Sequence, residues 1–257
     1  MSATLRLLLL SLGLYSADGL AASKLLNSEF TEEAFKLTKF ESDKEWELST
    51  EFGATLTSGN TDTQSYKGKV TGSFIYAMGR LNYHGQFFKK ISADEVSADK
   101  WKVGLKNNLD FSDQNSSFAS VEYEQDQFAT YDSVATFAAG YTQRMFNDSV
   151  IRWDADIGPG YKWKSNNEGE LREYVMHLGT NLSVQLSQQA KFIQTLIADL
   201  GVKGNATDVV RSETAILTSV LENLKMKLTY AFKHNSRPGE DKEKLDTQTT
   251  ISMVFIF

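Results

Sequence analysis

From Trp46 to the end of the chain, apolar residues return at every second position. Successive side chains of an extended strand point to opposite faces, so this period gives each segment one greasy side and one wet side. A helix repeats about every 3.6 residues and cannot hold such a pattern on one face. Trp46, Leu48, Phe52, Ala54 and Leu56 share one side, with Glu45, Glu47, Ser49 and Glu51 on the other. Tyr66, Val70, Phe74 and Tyr76 oppose Lys67 and Lys69, and Leu81, Tyr83 and Phe87 oppose Asn82 and His84. Trp101, Val103 and Leu105 oppose Lys102 and Lys106; Ala119, Val121 and Tyr123 oppose Glu122 and Glu124. Ile151, Trp153 and Ile157 oppose Arg152, Asp154 and Asp156, while Tyr174, Met176 and Leu178 oppose Glu173 and His177. Leu224, Met226 and Leu228 oppose Lys225 and Lys227 near the end. Only residues 192–200 and 209–220 leave the parity open. About twelve strands of ~10 residues result, the length that crosses a bilayer at a barrel's tilt.

The connections sort by length. Short ones fall at 77–80, 112–115, 147–149, 187–189 and 221–223, and longer, more polar ones at 58–64, 92–99, 126–132, 164–169, 201–208 and 235–244. Alternation of short turns and long loops on an even strand count is the habit of outer-membrane barrels, with turns in the periplasm. Aromatic residues gather at the strand ends, Trp46, Tyr76, Tyr83, Phe111, Phe118 and Trp153 at one level and Trp101, Tyr161, Trp163 and Tyr174 at the other. Amphipathic rings prefer the headgroup depth, so two belts are expected. The reading is an all-β, closed up-and-down antiparallel transmembrane β-barrel over residues 45–257, with both termini in the periplasm.

The first residues are an address. Arg6 precedes the apolar run 7–15, and small residues follow at Gly19 and Ala21. That is a signal peptide over 1–21, too short in its apolar part to span a membrane as a helix. Residues 22–44 form a periplasmic N-terminal segment that has room for a short helix. A mean hydropathy of −0.35 excludes a helical membrane protein but not a barrel, whose strands show grease at alternate positions. With no cysteine, the 257 residues exclude disulfides and thiolate sites, and three histidines leave little for a metal centre. A net charge of −6 without a basic cluster excludes nucleic acid as a partner.

Periodicity alone does not say which side faces inward. A soluble secreted barrel carrying a ligand would turn its apolar face to a core, and a membrane barrel would invert that arrangement. Charge signs favour the inversion. Glu45, Glu47 and Glu51 on the first strand neighbour Lys67 and Lys69, and Lys102 and Lys106 neighbour Glu122 and Glu124. Opposite charges on adjacent strands contribute about 0.2–1 kcal/mol per pair. Glu45, Glu47, Glu51, Lys67, Lys69 and His84 are therefore expected to line the lumen. So are Lys102, Lys106, Glu122, Glu124, Arg152, Asp154, Asp156, His177, Lys225 and Lys227.

The chain closes on Ile251-Ser-Met-Val-Phe-Ile-Phe257, alternating and ending on a ring, which resembles the assembly signal of outer-membrane barrels. The first hairpin, WELSTEFGATLTSGNTDTQSYKGK, the segment DIGPGYKW from Asp156 and the final hairpin LKMKLTYAFKHNSRPGEDKEKLDTQTTISMVFIF resemble the YdiY-like family of salt-induced outer-membrane proteins, a family of unknown function. The likeness runs from about Glu45 to the end, and the turn Ser58-Gly-Asn-Thr-Asp-Thr63 is its most specific part. It implies an outer-membrane barrel induced in salt or acid stress, and no substrate or catalytic residue.

Little in the sequence speaks for chemistry. His234, near the outer rim, faces Asp246 across the last loop and could serve with it as base and orienter in an enzyme acting on lipid or peptide. Asp154 with Asp156, and Glu122 with Glu124, have the spacing to share a cation or a proton, but Arg144, Arg152 and the lysines make ion pairing the simpler account. Gly158-Pro159-Gly160 reads as a bulge or bend. No catalytic residue, metal or cofactor is assigned. The expected partners are outer-membrane lipid and, through the strand ending at Phe257, the barrel-assembly machinery. The expected role is a narrow passive pore for small solutes or an envelope structural component.

Overall fold

The computed structural model describes residues 45–57, 63–204, 206–238 and 243–257. The signal peptide, the segment 22–44 and most of the Ser58 turn lie outside the described residues. The rest is twelve strands: β1 (Trp46–Thr57), β2 (Thr63–Tyr76), β3 (Gly79–Ser92), β4 (Glu95–Asp110), β5 (Asn115–Asp126), β6 (Ser133–Asn147), β7 (Ile151–Asn166), β8 (Gly169–Gln185), β9 (Ala190–Gly201), β10 (Val209–Ser219), β11 (Leu224–Asn235) and β12 (Leu245–Ile256). Each pairs antiparallel with its neighbours in sequence, and β1 pairs with β12 to close the ring. Closure removes the unpaired edges that an open sheet would leave. That seam is short: its ladder runs over four residue pairs, Ser49↔Ile256 to Phe52↔Met253, against twelve between β1 and β2.

Strands are longer than a bilayer needs, from 11 residues in β10 to 17 in β8. Two of the expected long loops are instead two-residue turns that let strands run on. Between β3 and β4, Ala93 and Asp94 both adopt positive φ, 51° and 63°, the mirror-image turn whose twist matches a hairpin. Between β7 and β8, Asn166 Oδ1 accepts the amides of Glu168 and Gly169 at 3.0 and 3.1 Å. Length sorting therefore holds only in part. Gly158-Pro159-Gly160 is not a bulge: the β6–β7 and β7–β8 registers keep step across it. It marks close backbone approach, since a Cβ on Gly158 would sit 2.1 Å from the Ala139 carbonyl oxygen and one on Gly140 2.1 Å from that of Ile157. The β6–β7 register shift falls instead between Arg144 and Phe146, and a second lies between Lys90 and Ile91 in β3–β4.

The two faces are inverted relative to a soluble protein. Lys102 and Asp199 are 0% exposed, whereas Leu105 and Leu228 are 47% and 46% exposed. Trp46, Phe74, Trp101, Trp153, Trp163 and Tyr174 also point outward and are exposed, with Tyr76, Tyr83 and Tyr161 half-buried on the same face. Such an exterior suits hydrocarbon and not water. No helix among the described residues is long and apolar enough to cross a membrane, and it is the strands that present the apolar band.

The open parity of β9 and β10 has a physical cause. Asp199, Arg211 and Glu213 take the lumenal side, which puts apolar Ile193, Ile197 and Leu217 inside as well. Gln194, Ser212 and Thr214 fall on the outer side and satisfy one another: Gln194 Nε2 donates to Ser212 Oγ at 2.9 Å and Thr214 Oγ1 donates to Gln194 Oε1 at 2.5 Å. Beside them Leu196, Ala198 and Val210 make a buried patch against Leu178, Leu200 and Phe232. Both faces of these strands thus mix polar and apolar residues, so alternation is lost.

Candidate functional site

The candidate site is the lumen, where charged side chains meet in layers. At mid-height Lys102 lies 3.3 Å from Glu122 and 2.9 Å from Glu124, all three brought to one face by the β4–β5 register. Asp199 on β9 collects Lys162 at 2.8 Å, Arg211 at 3.0 Å and His177 Nδ1 at 2.8 Å. Arg211 then reaches Glu122 at 3.4 Å, joining β10 to β5. These strands stand five positions apart in a ring of twelve, nearly opposite each other. An ion pair of that length means that side chains span the lumen at this level. His84 Nε2 stands 3.8 Å from Glu122 on the same layer.

Above this layer, Lys164 lies 2.6 Å from Glu173 and donates to Thr207 Oγ1 at 3.2 Å. Thr207 belongs to the loop between β9 and β10, and its amide donates to Glu173 Oε1 at 3.1 Å, which folds that loop inward. Tyr131 of the β5–β6 loop stacks over the Lys164 ammonium at 5.5 Å. Burial, then Glu173 and Glu168, push its phenol up from the ordinary value. Below, Lys106 bonds Asp156 at 2.6 Å, Thr142 donates to the same carboxylate at 2.6 Å, and Arg144 Nε lies 3.4 Å from Asp154. At the seam, Glu51 gathers Lys67 at 3.3 Å, Lys227 at 3.2 Å and the Ser252 hydroxyl at 2.8 Å. Buried charge is tolerated only when paired in this way.

The sequence-derived lining residues are distributed as follows. Glu51, Lys67, Lys69, His84, Lys102, Lys106, Arg152, Asp154 and Lys227 are buried on the lumenal face. Glu47, Glu122, Glu124, Asp156, His177 and Lys225 are half-buried, and Glu45, ahead of β1, is exposed at the rim. Lys106 does not meet Glu122 or Glu124 but crosses to β7. Asp154 and Asp156 turn to different cations, so they do not form a shared carboxylate site. Phe118 is no belt residue. Its parity puts it inside, 3% exposed, with the Lys106 ammonium 4.9 Å from its ring and His177 5.7 Å away.

The rim pair of His234 and Asp246 also fails. The β11–β12 register sets Asp246 opposite Lys233 and His234 opposite Leu245, so the two lie on opposite faces of the wall. Among the described residues no group of three or more His, Asp or Glu is placed to hold a metal ion. Sequence reasoning missed Arg80, Lys162, Lys164, Asp199, Arg211 and Glu213. The alternation of Arg211 and Glu213 with small residues was a signal for the last two, obscured by the mixed outer face of β10.

Comparison with known proteins agrees with this architecture. Over 199 residues the chain is 26% identical to YdiY, an uncharacterized protein of Escherichia coli (strain K12), covering 76% of this chain and 77% of the relative. The fold is similar to the NanC porin, with a TM-score of 0.52 at 9% identity over 82% of this chain and 99% of that one. It is also similar to an outer membrane channel from Pseudomonas putida F1, with a TM-score of 0.50 at 10% identity over 89% of this chain and all of that one (100%). The fold is that of an outer-membrane-type β-barrel. A family model described as a protein of unknown function, DUF481, matches residues 50–257, and the chain belongs to that family.

Proposed function

We propose that the protein is a non-enzymatic outer-membrane barrel that acts as a narrow passive pore for small solutes, with its short-turn end in the periplasm. The observation that carries this reading is the Arg211–Glu122 contact of 3.4 Å across the lumen. Twelve strands enclose more room than eight, which side chains just fill, and less than the open channel of sixteen. A lumen of that width, spanned by a charged pair and lined mainly by polar side chains, passes small hydrated solutes when the crossing pair separates. Large ones are excluded. Acidic and basic groups alternate along the wall, so no ladder of one sign selects a polyanion. The fold likeness to a porin and an outer membrane channel supports the same reading.

The test is conductance in planar bilayers. The unaltered barrel is expected to give small or rare steps, and Glu122→Ala with Arg211→Ala to give steps several-fold larger. Bilayers that stay sealed with both proteins refute the pore reading and leave a structural role in the envelope.

A further inference from the structure

We propose that Arg80 and Arg152, at the short-turn end of the lumen, form a binding site for a small oxyanion. Arg80 stands at the start of β3 and Arg152 at the start of β7, and both are buried on the lumenal face, 5% and 3% exposed. Neither Nε nor Nη1 of either guanidinium has a hydrogen-bond partner. Arg152 Nε lies 3.8 Å from Asp154 Oδ2, near enough for an ion pair and too far for a hydrogen bond. Asn82, on the same face two residues after Arg80, has both amide atoms buried and unpartnered. Ser183, opposite Arg152 in the β7–β8 ladder, has a buried and unpartnered hydroxyl. Two guanidiniums, an amide and a hydroxyl with unpartnered polar atoms thus lie on the lumenal face at one end of the barrel.

Most of the groups around them are already engaged, and one free acceptor beside Arg80 is the buried Asn108 Oδ1. Asn108, across the ladder from Arg80, donates to Thr142 at 3.1 Å, and Thr142 donates to Asp156. Arg144 spends Nη1 on the Asp113 carbonyl at 2.7 Å and Nε on Asp154, and lies 3.9 Å from Asp110. Three guanidiniums therefore share two close carboxylates, with Glu47 on β1 the further acid whose field reaches Arg80. A buried guanidinium N–H without an acceptor is costly, and an oxyanion arriving from the mouth supplies acceptors in the bidentate geometry that arginine prefers. One such pair, not a ladder, fits a monocarboxylate or an inorganic oxyanion. The site rests on the lumenal reading above for access from the mouth, and does not need solute to pass through.

The experiment titrates the full barrel in detergent micelles with sodium sulfate, at constant ionic strength set with sodium chloride, by calorimetry. Saturable one-site binding is expected, weakened about ten-fold or more in Arg80→Gln/Arg152→Gln. Arg80→Lys/Arg152→Lys, which keeps the charges and loses the forks, is expected to weaken it also, and Lys203→Gln in an exposed loop to leave it unchanged. Heat-modifiable migration certifies that each variant folds. No saturation in the unaltered barrel, or unchanged binding in both folded double variants, overturns the site. Bilayer conductance measured alongside separates the two readings. A barrel that binds sulfate and never conducts defeats the pore alone, and one that conducts without saturable binding defeats this site alone.

Discussion

Glu51 is the side chain on which barrel closure depends most. Its carboxylate joins β1 to β12 through Ser252, to β11 through Lys227 and to β2 through Lys67, across a seam whose own ladder holds four residue pairs. Removing one partner of a buried ion pair costs about 3–5 kcal/mol because the other charge stays behind. Here Lys227 keeps Glu213 at 3.0 Å, so Glu51→Ala is expected at the low end, about 3 kcal/mol. Glu51→Gln keeps an acceptor for Ser252 and loses only the charge, about 1–2 kcal/mol. Urea unfolding from lipid vesicles, followed by tryptophan fluorescence, measures both, and heat-modifiable migration should fail at a lower temperature in the same order. A cycle with Lys227→Met should return a coupling of about 1–3 kcal/mol. If Glu51→Ala unfolds within about 0.5 kcal/mol of the parent, the seam is held by its backbone and the clamp argument is wrong.

Other consequences follow from single positions. Gly140→Ala would drive a Cβ to 2.1 Å from the Ile157 carbonyl oxygen, a backbone atom that cannot swing aside, and should cost about 1–3 kcal/mol in the same unfolding assay. Gly72→Ala meets only the movable Tyr83 ring and should cost less. Leu105→Arg on the outer wall should cost about 2–4 kcal/mol in vesicles, since a charge there enters hydrocarbon. Asp148 accepts the amides of Ile151 at 2.7 Å and Val150 at 2.8 Å, which hold its carboxyl below the usual carboxylate value. Because the folded value is depressed, this turn is supported at neutral pH and loses that support as pH falls through it. Val150 and Ile151 amide protection, read by hydrogen exchange, should therefore be weaker in Asp148→Ala at pH 7 and converge with the parent in acid.

How much was legible depends on whether a property is set by neighbours along the chain or across it. Strand number, antiparallel order and the grouping of Trp46, Phe74, Leu105 and Leu228 on the apolar face follow from a period of two and from connections too short for anything but hairpins, while the charge signs of the other face favour turning the apolar face outward. Adjacent-strand pairs such as Lys102 with Glu122 and Glu124 follow likewise, because a hairpin fixes its own register. Turn chemistry was less visible. The pair Ala93 and Asp94 carries no glycine, and its left-handed backbone is imposed by the twist of β3 and β4.

What the sequence by itself determined is a closed wall with one oily and one charged side. Only the tertiary structure decided which charges meet across the lumen, such as Lys106 passing over Glu122 and Glu124 to reach Asp156 on β7. Arg211 and Glu122 are 89 residues apart in the chain and 3.4 Å apart in space. That meeting depends on ring closure and strand stagger, which sum small offsets over every hairpin and which no local pattern of side chains records.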